Sequence, residues 1–162
     1  MALVYIAMTT RRATNLLGLS FLVVALVCLA VFHFLPGEEF EEGRGWRIWL
    51  EVWDVIRDPD MENSPEGMIG ISCFVGLVGL MLVSPFLFGV LRKSRLAWWL
   101  ATIFSGLATM GLWVVLLSVN SPDQIGLSGT VLLAAPACNL IGLLLLRGDD
   151  RSPRRPVAEG NP

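Results

Sequence analysis

Four long uncharged runs, Ala13–Gly37, Met68–Leu91, Leu96–Ser118 and Leu127–Leu146, are separated by short polar stretches along the chain. A helix rises about 1.5 Å per residue, so about 20 residues reach the roughly 30 Å of a bilayer's hydrocarbon core. The pattern predicts an all-α integral membrane protein, a four-transmembrane-helix bundle with spans at about 16–35, 68–91, 96–118 and 127–146. The first run exceeds the 7–15 residues typical of a signal-peptide apolar core and no Ala-x-Ala-like site follows it, so it reads as an uncleaved helix. Residues 1–146 then form one membrane domain, and 147–162, rich in Pro, Arg and Asp, reads as a disordered tail with little to bury.

A different period appears in the one long polar connection, residues 36–67. At 100° per residue over 46–58, Arg47, Glu51, Asp54 and Asp58 fall on a narrow stripe, while Trp46, Trp49, Leu50, Trp53 and Ile56 fall opposite. An amphipathic helix with an apolar arc far wider than its polar one is predicted there. Pro59 ends it by disfavouring helix at Asp58. Helices that lie on lipid usually carry a broad Lys- and Arg-rich face, which this one lacks. Three placements stay open: packing on the ends of its own spans or in the adjoining interface, contact with a protein partner or second copy through Trp46, Trp49, Trp53 and Ile56, and insertion into the lipid surface.

Charge then orients the chain. Hydrophobic residues make up 54% of it and the mean hydropathy is +0.66, outside the ordinary soluble range. Nine of the 12 basic residues, Arg11, Arg12, Arg92, Lys93, Arg95, Arg147, Arg151, Arg154 and Arg155, fall in three segments that four spans bring to one side. Basic residues in short loops mark the cytoplasmic side, so both termini are expected there, in a plasma or bacterial inner membrane. Glu38, Glu39, Glu41, Glu42, Glu51, Asp54, Asp58, Asp60, Glu62 and Glu66 make residues 36–67 an acidic extracytoplasmic loop. The knot Arg92-Lys93-Ser94-Arg95 permits only an antiparallel hairpin between the second and third runs.

Small residues let helices approach in lipid, where no hydrophobic drive pulls them together. Ala134, Cys138 and Gly142, with Ala135 and Asn139 alongside, mark a packing face on the fourth span. The first span has fewer, Gly18, Ala25 and Cys28, and is expected at the periphery. Pro85 and Pro136 remove backbone donors and predict kinks. Asn139 is the most polar side chain deep in a span and needs a partner, either a neighbouring helix or water; Thr102, Ser105 and Thr109 are the other interhelical or pore-lining candidates. No span interior carries Asp, Glu, Lys or Arg, which argues against a proton-driven pump.

Few constellations carry chemistry. Cys28, Cys73 and Cys138 all lie in apolar runs without a metal-ligand spacing and read as small core side chains. Asp58, Asp60 and Glu62 alternate loosely like a calcium loop, but Asn63 and Ile69 stand where that loop wants Gly and a carboxylate. No cofactor motif and no nucleic-acid surface occurs. Gly126-Leu127-Ser128-Gly129 resembles the Gly-x-Ser-Gly of rhomboid intramembrane proteases over four residues, and that resemblance implies Ser128 as nucleophile with His33 as base. The rhomboid pattern also implies six spans and a histidine among small residues, whereas His33 lies among Phe32, Phe34 and Leu35.

The expectation is a non-enzymatic accessory or assembly subunit, contacting another membrane or extracytoplasmic protein through the acidic Trp-rich loop. A homo-oligomeric channel or passive transporter is the alternative, and an intramembrane serine protease a remote one.

Overall fold

The computed structural model describes residues 2–37, 43–57, 65–119 and 126–146. Six helices follow in order: α1 (Ala2–Phe34), α2 (Ile48–Arg57), α3 (Pro65–Val83), α4 (Phe88–Lys93), α5 (Arg95–Val119) and α6 (Leu127–Leu145). A two-residue antiparallel pair, β1 (Pro36–Gly37) with β2 (Gly43–Arg44), and a short 3-10 turn at Gly45–Arg47 connect α1 to α2. Among the described residues, three helices are long and apolar enough to cross a membrane: Arg12–Phe34 of α1, Arg95–Val115 of α5, and α6.

The apolar run at 68–91 does not form one helix. Pro85 has no N–H to give the carbonyl of Met81, so α3 stops at Val83 and residues 84–87 turn before α4 resumes. The chain bends there without reversing. Ser84, Leu87 and Leu91 each donate a backbone bond to the residue four before, at 2.8, 2.9 and 2.9 Å. Met68–Val83 is left as a shorter apolar helix. Pro136 acts differently, because α6 runs on through it to Leu145.

α6 is the hub, and α1 is its most extensive partner, contrary to the peripheral place expected for the first span. The two backbones cross at Gly18 and Gly142. A Cβ on Gly142 would stand 2.9 Å from the Gly18 carbonyl oxygen and 2.7 Å from Leu22 Cδ2; one on Gly18 would stand 3.1 Å from the Gly142 oxygen. Two glycines met across the helices outweigh a longer stripe of small residues on one of them. On α6 itself the buried line is Ser128, Leu132, Ala135, Asn139, Gly142 and Leu143, while Ala134 and Cys138 are only half-buried.

Two apolar clusters sort the ends of the bundle. Leu22, Leu91, Leu143 and Leu146 pack together with Trp98 and Ala101, which brings the hairpin between α4 and α5 beside the C-terminal end of α6. Leu29, Leu77, Val78, Met81 and Ala135 pack with Trp49, Phe74 and Leu112 toward the end that carries α2. Ser94 is the one residue between α4 and α5. Its N–H bonds Val90 at 2.8 Å, ending α4, while its Oγ accepts the Ala97 N–H at 3.2 Å, capping α5. Trp98 Nε1 donates to the Leu143 carbonyl at 2.6 Å and ties this corner to the last turn of α6.

Replacing Gly142 with Val is expected to force α1 and α6 apart and to cost about 1–3 kcal/mol, as overpacked sites do. Gly79→Ala, where no heavy atom lies within 4 Å of an added Cβ, is expected to cost nothing measurable. Equilibrium unfolding of both variants in mixed micelles checks the contrast.

Candidate functional site

Two regions concentrate polar and aromatic side chains: the seat of α2 on the end of the bundle, and a polar layer inside it.

The seat begins with a return of the chain. Gly45 donates its N–H to the Leu35 carbonyl at 3.1 Å and presses on the backbone of Phe32 so closely that a Cβ would overlap the Phe32 carbonyl. Only glycine fits this approach. It sets α2 down on the last turn of α1, and α2 together with the preceding 3-10 turn divides into three faces. Ile48, Trp49 and Val52 are half-buried, with Trp49 packed on the inner cluster. Trp46, Leu50 and Trp53 form a separate apolar stripe, 46, 51 and 51% exposed, with the Arg57 guanidinium 4.6 Å from the Trp53 ring centre. Glu51 and Asp54 lie on a charged side with Arg47.

Trp49 fixes the seat. Its Nε1–H donates to His33 Nε2 at 2.7 Å, and His33 Nδ1 lies 2.6 Å from the Leu29 carbonyl oxygen. An indole nitrogen only donates and a carbonyl only accepts, so this geometry assigns the proton of a neutral His33 to Nδ1. The two ring planes differ by 18° with centroids 6.1 Å apart, a side-by-side arrangement dictated by the in-plane bond, not a face-to-face stack. Phe74 of α3 closes the other side of Trp49, 5.8 Å between centroids.

The polar layer joins three elements. Asn139 of α6, fully buried, accepts the Ser84 hydroxyl at Oδ1 (2.8 Å) and donates from Nδ2 to Ser105 Oγ (3.1 Å). Both ends of its amide are thereby satisfied at the junction of α5, α6 and the bend after α3, as a buried amide requires. Ser84 Oγ also stands 3.4 Å from the Met81 carbonyl, the group that Pro85 leaves without its helical donor. Thr109 turns its hydroxyl back to the Ser105 carbonyl. Thr102 is 7% exposed and, among the described residues, its hydroxyl has no hydrogen-bond partner.

Of the residues singled out from sequence, Trp46, Trp53 and Ile56 are exposed and Trp49 is turned inward. Asn139 and Ser105 meet directly, with Thr109 one turn along. Asp58, Asp60 and Glu62 lie outside the described residues. Ser128 is buried in the first turn of α6. Both nitrogens of His33 are engaged by Leu29 and Trp49, so the histidine that the rhomboid resemblance would make a base is occupied elsewhere. Among the described residues no three His, Cys, Asp or Glu side chains come together as a metal site, and Cys28, Cys73 and Cys138 are free thiols.

Sequence reasoning missed Ser84 and the pairing of His33 with Trp49. For Ser84 a signal existed, since a hydroxyl beside Pro85 is well placed to compensate the lost backbone donor. A groove of about 540 Å³ between α2, α3 and α5, lined by Val52, Phe74, Leu77, Phe104 and Leu112 among others, is also apolar. No known protein family, curated protein or solved structure matches the chain.

Asn139→Leu removes both bonds of the amide, those to Ser84 and Ser105. Since such bonds in membrane proteins average about 0.6 kcal/mol each, a loss of about 1–2 kcal/mol is expected in micellar unfolding, against about 0.6 for Ser84→Ala.

Proposed function

We propose that this chain is a non-enzymatic, multi-pass membrane protein that binds another membrane or extracytoplasmic protein through α2. The observation that carries this reading is the division of α2: after Ile48, Trp49 and Val52 have docked on the bundle, a second apolar stripe of Trp46, Leu50 and Trp53 stays exposed. A helix needed only to cap its own bundle has no use for it. Paired indoles flanked by charges are the residue types that anchor protein interfaces.

In this reading the chain passes the bilayer four times, with the bent α3–α4 segment as the second pass. The end bearing Arg92, Lys93 and Arg95 faces the cytoplasm together with both termini, and α2 faces the opposite side of a plasma or bacterial inner membrane. Support comes from the two apolar clusters, which gather the basic hairpin and the last turn of α6 at one end and α2 at the other. Asn139, the most polar of the residues that a channel would need for its lumen, spends its amide on Ser84 and Ser105 instead. The reading is therefore one of assembly, not of conduction or catalysis.

Trp46→Ala with Trp53→Ala is expected to leave the docked fold intact and to abolish co-purification of the partner from native membranes. Two interface anchors at about 2 kcal/mol each correspond to about a thousandfold in affinity. Retention of the same partner by the double variant sinks the proposal and leaves the stripe to the lipid interface. For the orientation, a cysteine at Ser94 is expected to resist an impermeant thiol reagent added outside intact cells, while one at Glu51 reacts.

A further inference from the structure

The tether between α2 and the bundle is asymmetric in its donors and acceptors. Trp49 can only donate, so its bond to His33 exists only while Nε2 of the imidazole carries a lone pair. The other nitrogen cannot exchange roles with it, because Nδ1 faces the Leu29 carbonyl, which can only accept. Moving the proton to the other nitrogen would lose both bonds, since it would set donor against donor at Nε2 and acceptor against acceptor at Nδ1. A proton added to His33 must go to Nε2, where it confronts the indole N–H: two donors are set 2.7 Å apart with no acceptor between them.

We infer that the Trp49–His33 contact is a proton-operated latch that holds α2 on the end of the bundle when His33 is neutral and releases it when His33 is charged.

Among the described residues, the neighbours of His33 other than the Leu29 carbonyl and the Trp49 indole are apolar. From α1 it meets Leu29 and the edge of Phe32, 5.6 Å between ring centroids. The cleft beside it is walled by Leu26, Ala30, Val78 and Leu82. α3 brings Phe74 to the far side of Trp49 and, among the described side chains, no charge. α2 carries Arg47, Glu51, Asp54 and Arg57; Glu51, Asp54 and Arg57 are exposed, and Arg57 lies over Trp53. His33 itself is only partly buried, so water can deliver the proton. The sign follows from the donors and acceptors: a proton on Nε2 removes the acceptor on which Trp49 depends, so a charged His33 holds α2 less well than a neutral one. Histidine is the side chain whose charge ordinarily changes between about pH 5 and 8, which sets the range to examine.

The latch acts on the same helix as the proposed partner surface but is read without any partner, so the two stand or fall separately. Hydrogen–deuterium exchange of the full chain in lipid nanodiscs, corrected for intrinsic rates, compares the amides of α2 at pH 7.5 and 5.0. Protection of residues 48–57 is expected to fall about five- to tenfold at pH 5.0, the worth of one hydrogen bond. His33→Gln keeps an acceptor for Trp49 but cannot gain a charge, and is expected to show no pH step. Trp49→Phe removes the donor, and is expected to lower protection equally at both pH values. Glu51→Gln with Asp54→Asn is expected to retain the full step. Equal protection of the unmodified chain at both pH values overturns the inference, as does a full step in His33→Gln or Trp49→Phe, or its loss in the acid-neutralised variant.

Discussion

The close approach of α1 and α6 at Gly18 and Gly142 is the constraint on which the bundle rests. Helices surrounded by lipid gain little by hiding apolar surface from an equally apolar solvent, so association depends on dense packing and on hydrogen bonds between helices. Bare backbone at both glycines lets α1 lie along α6 and seats Leu22 in the space a side chain would fill. With that pair fixed, α5 reaches α6 through Trp98 and Ser105, and the bend after α3 reaches it through Ser84. α6 thus contributes the backbone and the polar atoms against which each other long element is registered.

The polar layer shows how a local defect becomes a tertiary contact. Pro85 breaks the backbone ladder, and Ser84 stands at the resulting bend with its hydroxyl in reach of both the Met81 carbonyl and Asn139 Oδ1. Asn139 needs an acceptor and a donor in a region without water, and it finds one on each side. The kink and the amide are therefore one device, in which each group compensates the other's missing partner.

α2 is held differently, by one aromatic anchor and one glycine contact at the end of α1. Its seat contains few buried atoms compared with the α1–α6 crossing, which puts it at the low-stability end of the structure, where segments that engage partners are drawn from. The same economy leaves Trp46, Leu50 and Trp53 outside. Trp49 and the exposed Trp53 are carried on the same helix of 10 residues.

Hydropathy and periodicity are properties of neighbouring residues, and through them the sequence by itself determined the helical class and the helices long and apolar enough to cross a membrane, α5 and α6 among them. Helix-breaking at Pro85 was also legible, though not the two-helix outcome at 68–91. What the sequence did not determine was which polar atom meets which. Ser84 and Asn139 are 55 residues apart, and Trp49 and His33 are 16 apart across a reversal that only Gly45 permits. Nor did a count of small residues reveal that α1, with few of them, lies closest to α6. A close crossing needs one small residue on each helix at the same height, and height is set by the packed helices together and not by either alone.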